Sequence, residues 1–318
     1  MPKIARIAYI VAFVVAGLTV ISGLFGKIVL LPVALIPLIA GIGIMRRRVW
    51  SAYGFALYLF GQLFFVPFVL FRHGGNTTGL AGIIGAAVWL AALIPLFFFA
   101  GRSLAAAGSE RGRAWPWIAA TALTTLPLFF VEAFVMPTGS MEDTLLIGDR
   151  ILVQRVPKPA LERGGVIVFV YPIDRHQTFV KRVIGVPGDR IRISEKVVYR
   201  NGTALKEPYA CHKTEYQDLY RDNFPAEPNV NLAAPALEML TKHVVNGEVV
   251  VPEGKYFVLG DNRDSSLDSR YWGFVDSGDL IGKPLLIYDS EEQPADDVLK
   301  GKSTWSHRVR WGRLFKLL

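Results

Sequence analysis

Apolar residues run almost without interruption through the first 136 positions and then break into short clusters. A helix that crosses a bilayer takes ~20 mainly apolar residues. Five such runs are read at about 5–25, 28–45, 50–71, 79–100 and 115–135. They are separated by Gly26-Lys27, Arg46-Arg47-Arg48, His73-Gly74-Gly75-Asn76 and the stretch from Arg102 to Arg113. Pro32, Pro37, Pro67, Pro95 and Pro127 fall inside the runs; they kink such helices without excluding them, because neighbouring helices satisfy the freed carbonyls. The first run is longer than the core of a cleavable signal sequence, and four more follow, so it is expected to stay.

Positive residues in short loops set orientation. Lys3 and Arg6, then Arg46 to Arg48, then Arg102, Arg111 and Arg113 fall on one side, against Lys27, Arg72 and His73 on the other. Five spans with the N-terminus inside place everything after residue 136 outside the cytoplasmic membrane. Glu132, the one acidic residue in a run, is expected at the interface. Without ion-path charges inside the spans, the helices read as an anchor and not as a transporter.

From residue 140 onward the pattern changes to short β-branched and aromatic runs, such as Val166 to Val170, Arg190 to Ile193, Lys196 to Tyr199 and Tyr256 to Leu259. Gly, Pro and Asn punctuate them, and Asn201-Gly202 is a strong hairpin-turn signal. The expected architecture is a transmembrane α-helical bundle over 1–135 followed by a mainly antiparallel β domain over 136–318. Residues 211–247 read as a surface-lying excursion. The tail from Ser303 to Leu318 mixes Trp305, Trp311 and Phe315 with Arg308, Arg310, Arg313 and Lys316, and suits either an anionic lipid surface or a final edge strand with a frayed end.

Composition adds limits. With 52% hydrophobic residues and a mean hydropathy of +0.34, the 318-residue chain is too apolar for an ordinary soluble protein. Its net charge of +8 follows the apolar runs, so topology explains it better than nucleic acid does. Cys211 is the only cysteine, which excludes an intrachain disulfide and a multi-cysteine zinc site. The five histidines form no His-Glu-x-x-His pattern. Neither a metal nor another cofactor is expected.

The candidate chemistry starts at Met136-Pro137-Thr138-Gly139-Ser140-Met141, just beyond the last apolar run. A serine in a Pro/Gly-rich turn is an exposed nucleophile in waiting, but it needs a base. Lys181 is the best base, because Phe179, Val180, Val183 and Ile184 surround it with apolar side chains. A free lysine has a pKa of ~10.4, and removal of water lowers it. Alternation along a strand puts Lys181 and Arg182 on opposite faces, so the two cannot share a task. The Ser140 N–H and the Thr138 hydroxyl are candidate oxyanion donors. A third segment, Gly260-Asp261-Asn262-Arg263-Asp264-Ser265-Ser266 through Asp268-Ser269-Arg270-Tyr271-Trp272-Gly273, supplies a dense polar turn. Phe134 and Ser140 are six positions apart, a tether of about 20 Å at most, which keeps the nucleophile near the outer membrane face.

These three segments, with Lys181-Arg182-Val183-Ile184-Gly185-Val186-Pro187-Gly188-Asp189 as the second, resemble in order and spacing the boxes of the bacterial type I signal peptidases, membrane-bound Ser/Lys endopeptidases. The resemblance covers about 134 to 288. It implies Ser140 as nucleophile, Lys181 as general base and Thr138 as side-chain oxyanion donor. It further implies that Ser266 orients the Lys181 amine, that Asp268 and Arg270 form a supporting ion pair, and that Arg182 braces the region. Pro137, Met141, Leu145, Phe179 and Val180 match positions lining the family's substrate cleft. The implied function is removal of signal peptides from exported preproteins, without a cofactor, at the outer face of the bacterial cytoplasmic membrane. The implied partners are preprotein signal peptides and the lipid bilayer, with the secretion machinery as a further candidate and no nucleic acid. Two departures stand out: Met141-Glu142-Asp143-Thr144-Leu145 lacks the family's usual proline, and five spans exceed the one or two that many members carry. A relative with a narrow substrate and a catalytically silent membrane receptor are the rival readings.

Overall fold

A computed structural model describes residues 1–24, 35–64, 77–125, 130–155, 161–299 and 308–318. The chain forms two compact units, Met1–Phe130 and Val131–Leu318.

The first unit is helical: α1 (Lys3–Leu24), α2 (Leu35–Met45), α3 (Val49–Phe64), α4 (Thr77–Ala106) and α5 (Trp115–Thr125). Its core has small residues on α1 (Ala5, Ala8 and Ala12) facing Ala40 and Ile44 on α2, with Phe55, Phe97, Leu104 and Trp117 from the later helices. The spacing of the alanines is that of one helix face. The large side chains Ile7, Ile10, Val14 and Leu18 are exposed on α1. The turns after α2 and α4 are tied together, with Val49 N–H donating to the Glu110 carbonyl and Trp50 N–H to that of Arg111, both at 2.9 Å. Two groups of arginines expected on one side thus sit at one end of the bundle. Among the described residues one stretch, Ala87–Ala106, is long and apolar enough to cross a membrane; Leu35–Met45 is apolar but shorter.

Several boundaries differ from expectation. The second and third candidate spans reach into 28–34 and 65–71, which lie outside the described residues. Arg102 sits inside α4 and not in the loop that follows it. The fifth candidate, 115–135, is not one helix to its end: α5 is described over Trp115–Thr125, residues 126–129 lie outside the described residues, and Val131–Val135 is a strand, β1. Hydropathy cannot separate a helix from a short β-branched run joined to it. The tether to Ser140 therefore starts from a strand, and Glu132 bonds Arg155 across it at 3.0 Å.

The second unit is mainly antiparallel β. Beside β1 it contains β2 (Asp149–Arg155), β3 (Val166–Val170), β4 (Thr178–Gly185), β5 (Arg190–Ser194), β6 (Val197–Arg200) and β7 (Thr203–Ala204). After helix α6 (Ala234–Lys242) come β8 (Val244–Val245), β9 (Glu248–Val250) and β10 (Lys255–Leu259). Helix α7 (Ser269–Trp272), β11 (Val275–Asp276), the long β12 (Leu280–Glu292), α8 (Ala295–Leu299) and β13 (Arg308–Val309) complete it. One sheet has the order β1-β2-β12-β3-β4-β10-β11, with β13 beside β12; the other has the order β7-β6-β5-β9-β8. The β6–β7 hairpin turns at Asn201 and Gly202, whose φ values of 54° and 78° are what a primed turn requires.

The stretch 211–247 lies largely at the surface, but it is anchored in the core. Tyr220, Phe224 and Met239 from it are buried among Ile184, Ile191, Val249 and Phe257. Its Asn- and Pro-rich composition hid three widely spaced apolar anchors. The described part of the tail adds β13 to β12, and Leu318 N–H donates to the Leu285 carbonyl at 3.1 Å.

Candidate active site

Ser140 sits in a single 3-10 turn, Gly139–Met141, at the start of the loop between β1 and β2. The turn is closed by Glu142 N–H to the Gly139 carbonyl at 3.1 Å and Leu145 N–H to that of Met141 at 2.7 Å. Asp143, in the stretch that lacks the family's proline, adopts φ 75°, so a left-handed residue turns the chain instead. Met141 and Leu145 are fully buried with Ile151, Val153, Val180 and Ile287, and pin the loop to the sheet.

Lys181 lies in the middle of β4, opposite Ile167 of β3. It is 3% exposed, and Ser140 is 8% exposed. Its Nζ is 2.7 Å from Ser140 Oγ and 5.4 Å from the centre of the Phe179 ring. Burial pushes the amine down to about 8; Asp268 and Asp261 pull it up in part, and Arg270 lowers it. Thr138 is exposed, and its Oγ1 is 3.4 Å from Ser140 Oγ. These distances are those of a nucleophile and its base.

The third segment wraps this pair. Asp268 accepts two bonds of 2.8 Å from the Arg270 guanidinium and one of 3.1 Å from Gly260 N–H. Both side chains are completely enclosed. Burial alone would raise the Asp268 carboxyl, but Arg270 outweighs it and holds the group below the usual carboxylate range. The Asp268 negative charge is thus fixed near the amine. A Cβ on Gly260 would collide with the Ser266 hydroxyl and the Ser140 carbonyl, so only glycine permits the closeness of those two segments. Ser266 is buried, and its hydroxyl has no hydrogen-bond partner. The bond from Ser266 to the Lys181 amine that the resemblance implies is therefore not made.

Arg182 points away from Lys181, as alternation requires. It donates to both carboxylate oxygens of Asp261, at 2.7 and 2.6 Å, and to the Gly164 carbonyl at 2.6 Å. Its guanidinium lies 3.9 Å over the Tyr209 ring. Thr144 of the nucleophile loop donates to Asp261 at 2.6 Å. Asn262 bonds the loop too, its Nδ2 donating to the Gly139 carbonyl at 3.2 Å and its N–H to the Ser140 carbonyl at 3.1 Å.

The cleft residues divide. Pro137 and Phe179 are half-buried, and Phe179 stacks on Tyr171 with ring centres 4.2 Å apart. Met141, Leu145 and Val180 belong to a buried core cluster. Apolar side chains flanking a reactive loop serve as its foundation as readily as its lining. Sequence reasoning overlooked Thr144, Asn262 and Tyr209 as bracing groups. Their partners lie tens of positions away, and no local spacing marks them.

The chain is similar in sequence to known proteins. The family model described as "Signal peptidase, peptidase S26" matches residues 113–288. A signal peptidase I from Bacillus caldolyticus is 36% identical over 182 residues, covering 56% of this chain and 91% of its own. One from Buchnera aphidicola is 29% identical over 243 residues, covering 58% of this chain and 74% of its own. A crystal structure of a signal peptidase I from Enterococcus faecalis matches at 28% identity and a TM-score of 0.26, covering 39% of this chain and 97% of its own. The chain belongs to the peptidase S26 signal peptidase family.

Proposed function

We propose that this S26 family member removes signal peptides from exported preproteins, with Ser140 as nucleophile and Lys181 as general base. The observation that carries the assignment is the 2.7 Å approach of Ser140 Oγ to an enclosed lysine amine. A base must be uncharged to act. At pH 7.5 a lysine of ordinary pKa is neutral in about one molecule per thousand; one titrating at about 8 is neutral in roughly a quarter. The Ser140 proton passes to the Lys181 amine as Oγ bonds the scissile carbonyl carbon. The developing oxyanion takes hydrogen bonds from the Ser140 N–H and the Thr138 hydroxyl. The Lys181 ammonium returns the proton to the leaving amine as the C–N bond breaks, leaving an ester on Ser140. Water, deprotonated by Lys181, then cleaves the ester and frees both peptide and serine.

Supporting roles follow from the contacts. Asp268 and Arg270 shape the field at the amine. Arg182, through Asp261 and Thr144, braces the nucleophile loop. Ser266 remains the candidate for orienting the amine, through its unsatisfied buried hydroxyl. Pro137 and Phe179 are the candidates for contact with substrate.

The helical unit is proposed as a multi-pass anchor in the cytoplasmic membrane, with the β unit on the extracytoplasmic side. Large apolar side chains outside and alanines inside suit a lipid surrounding, and the paired arginine turns suit the cytoplasmic face. Incubation of the full chain in detergent with a preprotein carrying an Ala-x-Ala cleavage site tests the function. Cleavage that disappears in Ser140→Ala and in Lys181→Ala is expected; an intact preprotein with the parent enzyme, or full activity in either variant, overturns it.

A further inference from the structure

The family model ends at residue 288, yet the last residues of the chain reach back to the nucleophile loop. Arg313 donates through Nη2 to the Thr144 carbonyl at 2.8 Å and to Asp149 Oδ2 at 2.5 Å. Its Nε donates to Asp149 Oδ1 at 3.1 Å. Asp149 is completely buried and closes the same loop, its carboxylate accepting from the Leu146 N–H at 2.8 Å. Ser290 Oγ, from β12, donates to the other oxygen at 2.6 Å. Arg310 adds a donor to the Ile147 carbonyl and one to the Glu291 carbonyl at 2.6 Å. Gly148, at φ 86°, leaves room for the Glu291 carbonyl beside it. Leu318 packs against the cluster that holds Met141 and Leu145.

Thr144 is therefore gripped at both ends of its residue. Its hydroxyl is bound by the Asp261–Arg182 pair, and its carbonyl by the tail. A guanidinium is the side chain suited to this, since its planar fork serves a carboxylate and a carbonyl together. A lysine offers only a point charge. The described part of the tail holds the loop at Thr144 and Asp149. It fixes the far arm of the loop whose near arm carries the nucleophile.

We infer that the C-terminal segment 308–318 is a clamp that sets the position of Ser140 against Lys181, with Arg313 as its positioning residue. The inference rests on the Ser/Lys reading of the site. A nucleophile misplaced by a fraction of an ångström loses rate in the chemical step while substrate binding is spared.

The test uses the full chain in detergent and compares the parent with Arg313→Ala and Arg313→Lys. With a signal-sequence peptide, Arg313→Ala is expected to lower kcat tenfold or more with KM within twofold. Arg313→Lys should recover part of the rate, and added ethylguanidinium should raise the rate of Arg313→Ala. The second measurement needs no turnover. The Lys181 amine, titrated by NMR after isotopic labelling, should move up from its parent value by at least half a unit in both variants as water reaches a loosened loop. An unchanged kcat together with an unchanged Lys181 titration overturns the clamp. A parent enzyme that leaves the peptide intact overturns the peptidase reading instead, and the titration then decides the clamp alone. If Arg313→Ala does not fold, the lysine variant decides: parent kcat and parent titration in it overturn the clamp.

Discussion

The two units solve opposite packing problems. In the helical unit the described core is uncharged: small residues of α1 and α2 mix there with Phe55, Phe97, Leu104 and Trp117, while Ile7, Ile10, Val14 and Leu18 of α1 stay exposed. In the β unit, the bulky residues are inside, and buried charges are laid among them: Asp268 with Arg270, Asp261 with Arg182, Asp149 with Arg313. The lesson is that the shift of Lys181 arises within its own unit. The enclosure that depresses it comes from sheet packing, and its opposing charges come from one polar turn.

The largest expected effect separates chemistry from architecture. Ser140→Ala should reduce kcat by ~10⁴-fold or more while the melting temperature, followed by circular dichroism, stays within a few degrees. Next, Asp268→Ala leaves Arg270 enclosed without its partner. That should destabilise the β unit by about 3–5 kcal/mol, measurable by urea unfolding, and the corresponding change of Ala12→Ser in the helical unit should cost far less.

Lys181→Met addresses the same contrast through pH. The folded-state pKa lies below the unfolded one, so a charged Lys181 costs stability. That cost is fully present below about pH 8 and disappears as pH rises toward the unfolded value of ~10.4. The methionine variant should therefore melt higher than the parent at pH 7, by the equivalent of roughly 2–3 kcal/mol, and the gap should shrink to a small fraction of that by pH 10 and close above the unfolded pKa. A gap that is constant with pH would show that packing, not protonation, sets it. The same group predicts that kcat/KM rises with pH, with its midpoint near 8, and levels off about one unit higher. Smallest, Phe179→Leu should raise KM severalfold in a peptide assay, with little loss of kcat, if that half-buried ring meets substrate.

Much of the site was legible because its chemistry is local. The Pro-Thr-Gly-Ser turn, the apolar frame of Lys181 and the polar turn ending at Arg270 each carry their signal within a dozen positions. Alternation on β4 correctly separated Lys181 from Arg182. The β character of the second unit followed from short β-branched runs and the Asn201-Gly202 turn. What escaped detection depends on long-range partners. Tyr220 and Phe224 are apolar islands in polar sequence, and only folding shows that they meet Phe257. The end of the fifth apolar run looked helical because hydropathy reports burial, not backbone geometry. Met141, Leu145 and Val180 lie in the core beside the nucleophile loop, and residues beneath such a loop have the same composition as residues that meet a substrate.

The placement of Lys181 and Arg182 side by side on β4 has a consequence for how this sequence can drift over generations. Losing a single codon between Thr178 and Lys181 would bring the permanently charged guanidinium of Arg182 to Ser140, and gaining one would move the Lys181 amine into the place of Arg182, against Asp261 and Tyr209. Length changes should then be tolerated in the turns on either side and purged from the strand itself, so that β4 is a fixed ruler in a lineage whose loops are free to vary.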